Sequence, residues 1–415
     1  MNHRRIYPVG SRKTRMQQGF RENVRLDEAL DAFLPLFGTV GCEKVGLDEA
    51  TGRVAGSEIV AQRPVPHYDR SAMDGYAVRA VDTHGAARDS PARLDAVEGC
   101  GKVEDGETAQ VHTGTAVPDG ADAVVRVEDT RKVGETVEVS VAASKGENVA
   151  YTGEDVEECE TVVDQGVRLR PSTVGVLRSV GVGDVDVRRK PRVAVVPTGD
   201  EVVRGEPEPG EVVGTNAPMV AGYVERWGGD PTVHGIVPDD EEALREAVAD
   251  AGAEADLVAT IGGSSVGDRD LLADVVDGIG EMRVHGVAVK PGHPVGFGVV
   301  GETPTVILPG YPVSCVVNSF EFVRRGVRAL LGVDGAPEPT SICTLDGKVA
   351  SDVGARTYTR VEIDEDGEGR VARPVRTKGA GVLSSVARAD GFVVTPEERE
   401  GYASGEDVEA LLWEA

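Results

Sequence analysis

Apolar residues between positions 192 and 331 form short runs that alternate with segments of helical spacing. Three runs alternate with two helical segments in the order 193–196, 217–227, 233–237, 240–252 and 257–261. Runs of this length favour buried strands, and strands that alternate with helices indicate βαβ units in a mostly parallel sheet. Further strands and a closing helix are predicted at residues 287–289, 296–300, 306–308 and 312–331. We therefore predict an α/β domain of three layers over residues 191–333.

The remainder of the 415-residue chain predicts β structure around this domain. Valine-rich segments alternate with Gly, Asp and Pro turns over residues 63–157, which predicts a β-rich insert domain. Helical spacing in the flanking residues 22–62 and 158–190 predicts one linking domain built from two pieces. Residues 334–415 predict a small β-barrel-like domain. The fold class is thus multidomain α/β plus β, and residues 1–21 are expected to form a flexible basic tail rather than a secretory signal.

Charge and cysteine content narrow the function classes. A formal net charge of −27 would repel nucleic acids and acidic membrane surfaces, and no run of 18 apolar residues is present. The five cysteines are odd in number and have no C-x-x-C spacing, which is typical of a reducing cytoplasm and gives no zinc site. We expect a cytoplasmic protein that binds neither nucleic acid nor membrane.

The run at 257–261 leads into a loop whose composition suits an anion. Glycines at 262, 263 and 267 let main-chain N–H groups approach an oxyanion, and Ser264 and Ser265 add hydroxyl donors. Asp268 and Asp270 follow at once and would repel a bare phosphate. A metal ion, or a substrate with an anionic end and a donor end, would reconcile the two halves. A glycine-rich turn without a ligand stays the alternative.

Five polar or proline-containing loops follow the predicted strands of the α/β domain. They begin at Pro197, Pro238, Gly262, Lys290 and Pro309. Because ligands of open parallel sheets bind outside the carboxyl ends of the strands, we expect these loops to line one site. For each loop alone, turn formation or helix capping by Thr198, Asp239 or Asp240 is an equal alternative.

Lys290 is the most specific candidate in these loops for a contact with an oxyanion. It is the only lysine between Lys190 and Lys348 in a chain with many arginines. A compact ammonium group at this place predicts a contact with a phosphate or another oxyanion, and a surface lysine of no function is the alternative. His293 is either a second anion contact or an ordinary loop side chain.

The β-rich insert contains a second polar cluster. Ser71, Asp74 and Gly75 crowd together just before a strand, which predicts a tight loop that presents Asp74 to a ligand. The alternative is a turn in which Asp74 caps its own backbone. Thr113 and Asp155 lie in similar but weaker segments.

These segments together resemble the molybdopterin molybdenumtransferase family, which includes bacterial MoeA and the E domain of gephyrin. The resemblance covers residues 22 to 413 and rests on motifs in a fixed order: Ser71–Val78, Thr113-Gly114, Gly153–Asp155, Thr198–Glu201, Gly262–Gly267, Lys290–Gly292 and Leu308–Ser314. It implies an enzyme that takes adenylylated molybdopterin and molybdate and yields molybdenum cofactor and AMP with a divalent cation. It also implies a homodimer whose site lies between the α/β domain of one subunit and the β insert of the other.

The resemblance implies roles for individual residues. Catalytic roles fall to Asp74, Glu201, Asp240, Asp270 and Lys290, and Mg²⁺ would be held by Glu201, Asp240 and Asp270. Substrate contacts are implied for Thr113, Asp155, Thr198, Gly262, Gly263, Ser264, Ser265, Gly267, Gly292, His293, Pro309, Pro312, Ser384 and Ser385. Asp74, Thr113 and Asp155 would come from the second subunit.

Three departures from the family pattern each remove a cation. His293 and Gly286 stand where lysines are usual, and Ala150–Thr152 replaces an arginine-rich run. Tungstate is therefore an alternative to molybdate. Two other functions stay open: adenylyl transfer from ATP to molybdopterin, and a non-catalytic scaffold of the gephyrin E-domain type. In the family role, an adenylyltransferase is an expected partner.

The charge composition also predicts an adaptation to salt. Lys and Arg together number 44 against 71 acidic residues, and most of the cations are arginines. Molar salt shortens the screening length to about 3 Å and removes the self-repulsion of an acidic surface. We expect thermal melting to occur at a higher temperature in molar potassium chloride than in its absence. Equal melting temperatures would identify an ordinary acidic protein.

Overall fold

The computed structural model describes residues 23–98, 101–262, 271–333, 335, 338–366, 369–375, 379 and 381–413. The chain divides into two compact units, one of Cys42–Val187 and one of Met1–Gly41 with Arg188–Ala415. The first helix, α1 (Leu26–Phe33), belongs to the second of these units. No helix among the described residues is both long and apolar enough to cross a membrane.

The unit Cys42–Val187 is built mainly from short strands. They are β1 (Cys42–Gly46), β2 (Ile59–Val60), β3 (Arg70–Ser71), β4 (Gly75–Val78), β5 (Ala92–Val97), β6 (Glu107–Val111), β7 (Ala123–Arg126), β8 (Thr130–Val133), β9 (Thr136–Val139), β10 (Val149–Ala150), β11 (Thr161–Val163) and, after helix α2 (Pro171–Ser179), β12 (Asp184–Arg188). Six of them form one sheet in the order β7-β4-β6-β5-β9-β8. The valines predicted to form these strands build the core, because Val137 and Val139 of β9 are buried, while Glu138 between them accepts from Arg93 of the neighbouring strand β5 at 3.1 Å.

The other unit contains an α/β region from Arg192 to Leu331. Its elements are β13 (Arg192–Pro197), β14 (Val202–Val203), β15 (Val212–Val213), α3 (Asn216–Trp227), β16 (Asp230–Val233), α4 (Glu241–Glu254), β17 (Leu257–Ile261), α5 (Leu271–Ile279), β18 (Gly280–His285), β19 (Val289–Lys290), β20 (Gly296–Val300), β21 (Thr303–Leu308), α6 (Pro312–Asn318) and α7 (Arg324–Leu331). A π-helical turn, Ser319–Val323, joins α6 to α7. The sheet order is β16-β13-β17-β21-β20-β18, in which β20 runs antiparallel to both of its neighbours and the other strands share one direction.

Burial on two sides explains the apolar runs of this sheet. All five residues of β17 are buried. Ala194, Val196 and Val258 pack with apolar residues of α4 and α5, while α3 packs against β13 and α7. The predicted α/β arrangement of three layers with a mostly parallel sheet is confirmed.

One strand prediction in this region was wrong, and one strand was missed. The second strand occupies Asp230–Val233 rather than 233–237, because Gly228 ends α3 in the left-handed conformation and the chain enters the sheet at once. Val237 contributes only an isolated bridge to Thr198. Strand β18 was missed because Glu281 and Arg283 interrupt its apolar pattern.

The C-terminal residues form a closed barrel. Its region contains β22 (Thr340–Leu345), β23 (Val349–Ala350), β24 (Arg356–Asp366), β25 (Gly369–Pro374), α8 (Ser384–Arg388), β26 (Gly391–Thr395), β27 (Gly401–Tyr402) and β28 (Asp407–Leu411). Five strands close in the order β24-β25-β22-β28-β26, and β26 pairs back with β24. Alternation in β22 buries Cys343 and Leu345 and leaves Ile342 exposed. The predicted barrel-like domain is confirmed.

Strand β19 does not belong to the sheet for which it was predicted. Val289 and Lys290 pair in parallel with Arg356 and Thr357 of β24, so that β19 extends the sheet of the barrel. The sequence predicted that the Lys290 loop, like four other loops, follows a strand of the α/β sheet at one edge. The Lys290 loop instead follows a strand of the barrel sheet, because two residues are too few to show which partner they pair with.

Candidate functional site

A cavity of about 1190 Å³ opens at the carboxyl ends of the parallel strands. Residues at or just beyond the ends of β13, β17 and β21 line it, as the general behaviour of open α/β sheets requires. Eight of the residues predicted from the sequence line the cavity: Thr198, Glu201, Gly262, Lys290, Gly292, His293, Pro309 and Pro312. The volume exceeds the roughly 300–1,000 Å³ typical of small-molecule sites, so a large ligand fits.

Backbone segments meet closely at the floor of the cavity. Thr198 is buried and its N–H donates to the Ile261 carbonyl at 2.8 Å. Gly262 has a φ of +121°, and a Cβ atom there would lie 2.5 Å from the Thr198 carbonyl oxygen. Only glycine allows this approach, so the first glycine of the predicted anion loop has a packing reason to be present.

The Lys290 loop rests on a buried amide side chain. Asn318, in α6, donates from Nδ2 to the Gly292 carbonyl at 3.1 Å and to the Ser314 carbonyl at 2.8 Å. A Cβ atom on Gly292 would lie 2.0 Å from this nitrogen. The Lys-Pro-Gly sequence is therefore seated on helix α6, and His293 beyond it is exposed toward the cavity.

The ammonium group of Lys290 has a partner that sequence reasoning missed. Its Nζ donates to Oδ2 of Asp352 at 2.5 Å, and Asp352 lies in the loop between β23 and β24. This hydrogen bond and the positive charge of Lys290 lower the pKa of Asp352. No local pattern points to Asp352, since 62 residues separate it from Lys290.

Acidic side chains also follow the ends of the parallel strands. Asp200 accepts from the Asp239 N–H at 3.2 Å. Partial burial and the negative charges of Glu201 and Asp200 raise the pKa of Asp239. Oδ1 of Asp240 accepts from the N–H groups of Glu242 and Ala243 and caps α4. The capping alternative for Asp240 is thus observed, and its role toward metal stays a prediction.

The donor chemistry of these carboxylates suits Mg²⁺. Burial, followed by the negative charges of Glu201 and Asp200, raises the pKa of Asp239, and a cation would offset those charges. Oxygen-only ligands are what Mg²⁺ prefers. Within the described part of the chain, no three His, Cys, Asp or Glu side chains form a group that could hold a metal. Asp270, the third predicted ligand, lies outside the described residues.

Of the two serines predicted in the C-terminal domain, Ser385 contacts an arginine of the cavity. Ser385 is fully buried, accepts from Nη1 of Arg360 at 2.5 Å and donates to the Val382 carbonyl at 2.5 Å. Ser384 is exposed. Of the three residues, only Arg360 lines the cavity, and partial burial lowers the pKa of its guanidinium. Sequence reasoning missed Arg360 because one arginine in a charged strand has no distinguishing pattern.

The three predicted residues of the insert lie in the unit Cys42–Val187. Oδ1 of Asp74 accepts from the N–H of Thr113 at 2.6 Å and from its hydroxyl at 2.9 Å, and these bonds lower the pKa of Asp74. Asp74 therefore ties two distant loops together instead of capping its own turn. Asp155 is exposed, and its N–H donates to the Val65 carbonyl at 3.0 Å. A similar pair that sequence reasoning missed joins Asp69 to Thr152.

Most of the predicted anion loop lies beyond Gly262, in residues that the structure does not describe. Gly263, Ser264, Ser265, Gly267, Asp268 and Asp270 lie outside the described residues. Their predicted roles stay predictions.

Fold and cavity define an α/β ligand-binding protein with cations and carboxylates around one large site. Three sequence families match the chain: the MoeA N-terminal region (domain I and II) at residues 24–181, the probable molybdopterin binding domain at 194–329 and the MoeA C-terminal region (domain IV) at 343–413.

Full-length relatives agree with these matches. A putative molybdopterin biosynthesis protein of Methanocaldococcus jannaschii is 33% identical over 89% of this chain and 92% of its own length. The molybdopterin molybdenumtransferase of Haemophilus influenzae is 32% identical over 88% and 92%. The crystal structure of a MoeA protein from Pyrococcus horikoshii has a TM-score of 0.83 at 33% identity and covers 94% of this chain and 100% of its own. The chain belongs to the MoeA family of molybdopterin molybdenumtransferases.

Gly286, one of the predicted departures from the family pattern, has a structural reason. Its φ is +91°, and a Cβ atom there would lie 2.8 Å from Oδ1 of Asn23. A lysine at this position would be strained in the observed backbone. The local backbone conformation therefore favours glycine over the lysine that is usual at this position in the family.

A buried hydrogen-bond network connects the cavity strand β24 to the helix behind the site. Glu321, in the π-helical turn, accepts from the Tyr358 hydroxyl at 2.7 Å and from Nε of Arg325 at 3.2 Å. Burial, followed by the charge of Glu321 and the hydrogen bond to it, raises the pKa of Tyr358 well above its usual value of 10.0. Thr357 and Arg360, on either side of Tyr358 in β24, line the cavity.

We expect Tyr358→Phe to destabilise the protein by about 1–3 kcal/mol at pH 7, because the buried Glu321 carboxylate loses a donor. The wild-type tyrosine keeps its proton in the folded state and loses it near pH 10 in the unfolded state. Its contribution is therefore present below about pH 10 and declines above it. Urea denaturation should show the difference between variant and wild type narrowing above that pH.

Tyr402→Phe is the matched control for this measurement, since its hydroxyl bonds only a backbone carbonyl in the same domain, at 3.3 Å. A constant difference between Tyr358→Phe and wild type across the alkaline range would contradict the assignment.

Proposed function

We propose that this protein inserts molybdenum into adenylylated molybdopterin and releases AMP. The observation that carries the proposal is the cavity itself, where Lys290 and Arg360 supply positive charge and Glu201 supplies negative charge within one space of about 1190 Å³. A substrate with phosphates, a heterocycle and an oxyanion co-substrate needs all of these. The family supports the same conclusion, and the protein is a transferase of molybdenum cofactor biosynthesis.

Different residues of the cavity would bind different parts of the substrates. Lys290 provides a compact cation for oxygens of molybdate or phosphate, and Arg360, oriented by Ser385, provides a planar one. Pro309 and Pro312 form a wall of restricted conformation beside the exposed Tyr311. In this site an oxygen of water or of molybdate would attack the AMP phosphorus and form a new P–O bond while the anhydride P–O bond breaks. The electron pair of that bond goes to the phosphate of molybdopterin, and AMP leaves.

We propose Mg²⁺ as the cofactor, with Glu201, Asp240 and Asp270 as the residues that would hold it. The ion would neutralise phosphate charge in the bound substrate. Asp240 can serve through its second oxygen while its first caps α4. The chain's own contribution is to bring Glu201 and Lys290 to the same cavity, so that a metal ion and an oxyanion can bind to one substrate.

The two alternative functions, adenylyl transfer and a non-catalytic scaffold, are less well supported. Matches to MoeA regions extend from residue 24 to residue 413, whereas adenylyl transfer was expected to need only an α/β domain. We propose that an adenylyltransferase partner supplies the substrate, that molybdate is preferred with tungstate as the alternative, and that the protein works in the cytoplasm. The acidic, salt-adapted surface remains a proposal with the melting experiment given above.

Lys290→Ala should lower the rate of molybdate-dependent AMP release by about 10²–10³-fold, because a charge that stabilises the reacting oxygens is lost. The assay follows AMP from adenylylated molybdopterin with Mg²⁺, with and without molybdate, and chelation of Mg²⁺ should abolish release. Lys348→Ala, at an exposed lysine of the barrel, is the control. Consumption of ATP with bare molybdopterin would instead establish adenylyl transfer, and no reaction in either assay would favour a scaffold.

We also propose a homodimer in which Asp74, Thr113 and Asp155 of one copy complete the site of the other. Support comes from the family resemblance and from the Asp74–Thr113 contact, which presents an exposed carboxylate from the insert. An isologous dimer would contain two such sites.

Heterodimers of one Asp74→Asn chain and one Lys290→Ala chain should recover about half of the wild-type activity, because one of their two shared sites is intact. The two chains are co-expressed with different tags and purified on both. A heterodimer of Glu201→Gln with Lys290→Ala is the control, since both substitutions lie in the α/β region and leave no intact site. If the first heterodimer is as inactive as the control, the site belongs to a single chain.

A further inference from the structure

We propose that Asp352 is a built-in competitor for Lys290, which makes this subsite selective for doubly charged oxyanions. The inference rests on the proposed function, in which Lys290 binds molybdate or phosphate oxygens. In the structure, Nζ of Lys290 donates to Oδ2 of Asp352 at 2.5 Å. The carboxylate of Asp352 thus stands where an oxyanion oxygen would stand.

The two side chains are brought together by the pairing of β19 with β24. Lys290 is in register with Thr357, and the Arg356 N–H donates to the Ala288 carbonyl at 2.8 Å. The loop that carries Asp352 enters β24 directly and therefore lies beside Lys290. Because Lys290 lines the cavity, the ion pair lies at its rim.

The backbone of the Asp352 loop is fixed while its side chain is exposed. The Ser351 N–H donates to the Glu400 carbonyl at 2.9 Å, and the Gly354 N–H donates to the Glu397 carbonyl at 2.7 Å. The side chain of Asp352 is 80% exposed, and that of Lys290 is 45% exposed. A rotation of the Asp352 side chain can therefore release Lys290 without movement of the loop.

The strength of the pair sets which anions can displace the carboxylate. Exposed ion pairs contribute little, so a tetrahedral dianion with several acceptor oxygens can outcompete one carboxylate for the ammonium group. A monovalent anion such as chloride gains no more from Lys290 than Asp352 does. The pair would keep the cation neutralised until a dianion arrives, in a chain that is strongly acidic overall.

Direct binding of molybdate by isothermal titration calorimetry tests the proposal without catalysis. At low ionic strength, Asp352→Asn should bind molybdate about five-fold more tightly than wild type, which is the size of one exposed ion pair. Chloride should inhibit binding more strongly in the variant than in wild type. Added salt should reduce the gain, because screening weakens the contact that Asp352 makes.

Asp346→Asn is the matched control, because it removes the same charge from an exposed ion pair of the same barrel, with Arg373 at 2.9 Å. Its molybdate affinity should equal that of wild type. In a Lys290→Gln background the gain from Asp352→Asn should disappear, since the two residues act on each other.

Unchanged or weaker molybdate binding by Asp352→Asn would overturn the proposal, and weaker binding would make Asp352 a positioning residue for Lys290. An equal gain with Asp346→Asn, or a gain that survives in the Lys290→Gln background, would overturn it as a general charge effect. Absence of molybdate binding by wild type and variant alike would also overturn it. Failure of the proposed reaction appears separately, as absence of AMP release while the differences in binding persist.

Discussion

The pairing of two residues, Val289 and Lys290, with strand β24 is the contact on which the site depends. It joins the last part of the α/β region to the barrel through main-chain hydrogen bonds. Because the strand ends at Lys290, the same pairing sets the position of the ammonium group. Lys290 from one domain and Arg360 and Asp352 from the other therefore meet at one cavity.

The long helical segment behind the cavity holds both sides of this junction. Asn318, in α6, carries the Gly292 carbonyl, and Glu321, in the π-helical turn, accepts from Tyr358 of β24. Both side chains are buried, and buried polar groups need partners of fixed geometry. A π-helical turn is an uncommon feature that often accompanies functional sites, and here it faces the strand that lines the cavity.

The distribution of charge explains how an acidic protein can bind anionic substrates. The formal net charge is −27, yet Lys290 and Arg360 both line the cavity, with Glu201 among the strand-end acids. Coulomb forces between exposed charges are screened within a few ångströms to about 10 Å, depending on salt, so local arrangement outweighs net charge at short range. Asp352 and Ser385 adjust the two cations through direct contacts.

By itself, the sequence determined the elements with strong periodicity and the motifs with strict chemistry. The βαβ pattern, the closing helix and the valine-rich strands of the insert follow from burial on one or both faces, which leaves a local pattern of apolar residues. Tertiary structure alone decided that β19 joins the barrel and that Asp352 and Arg360 belong at the site. These outcomes depend on contacts between residues tens to hundreds of positions apart. A lone arginine or aspartate carries no local signal, and a strand of two residues does not reveal its partner.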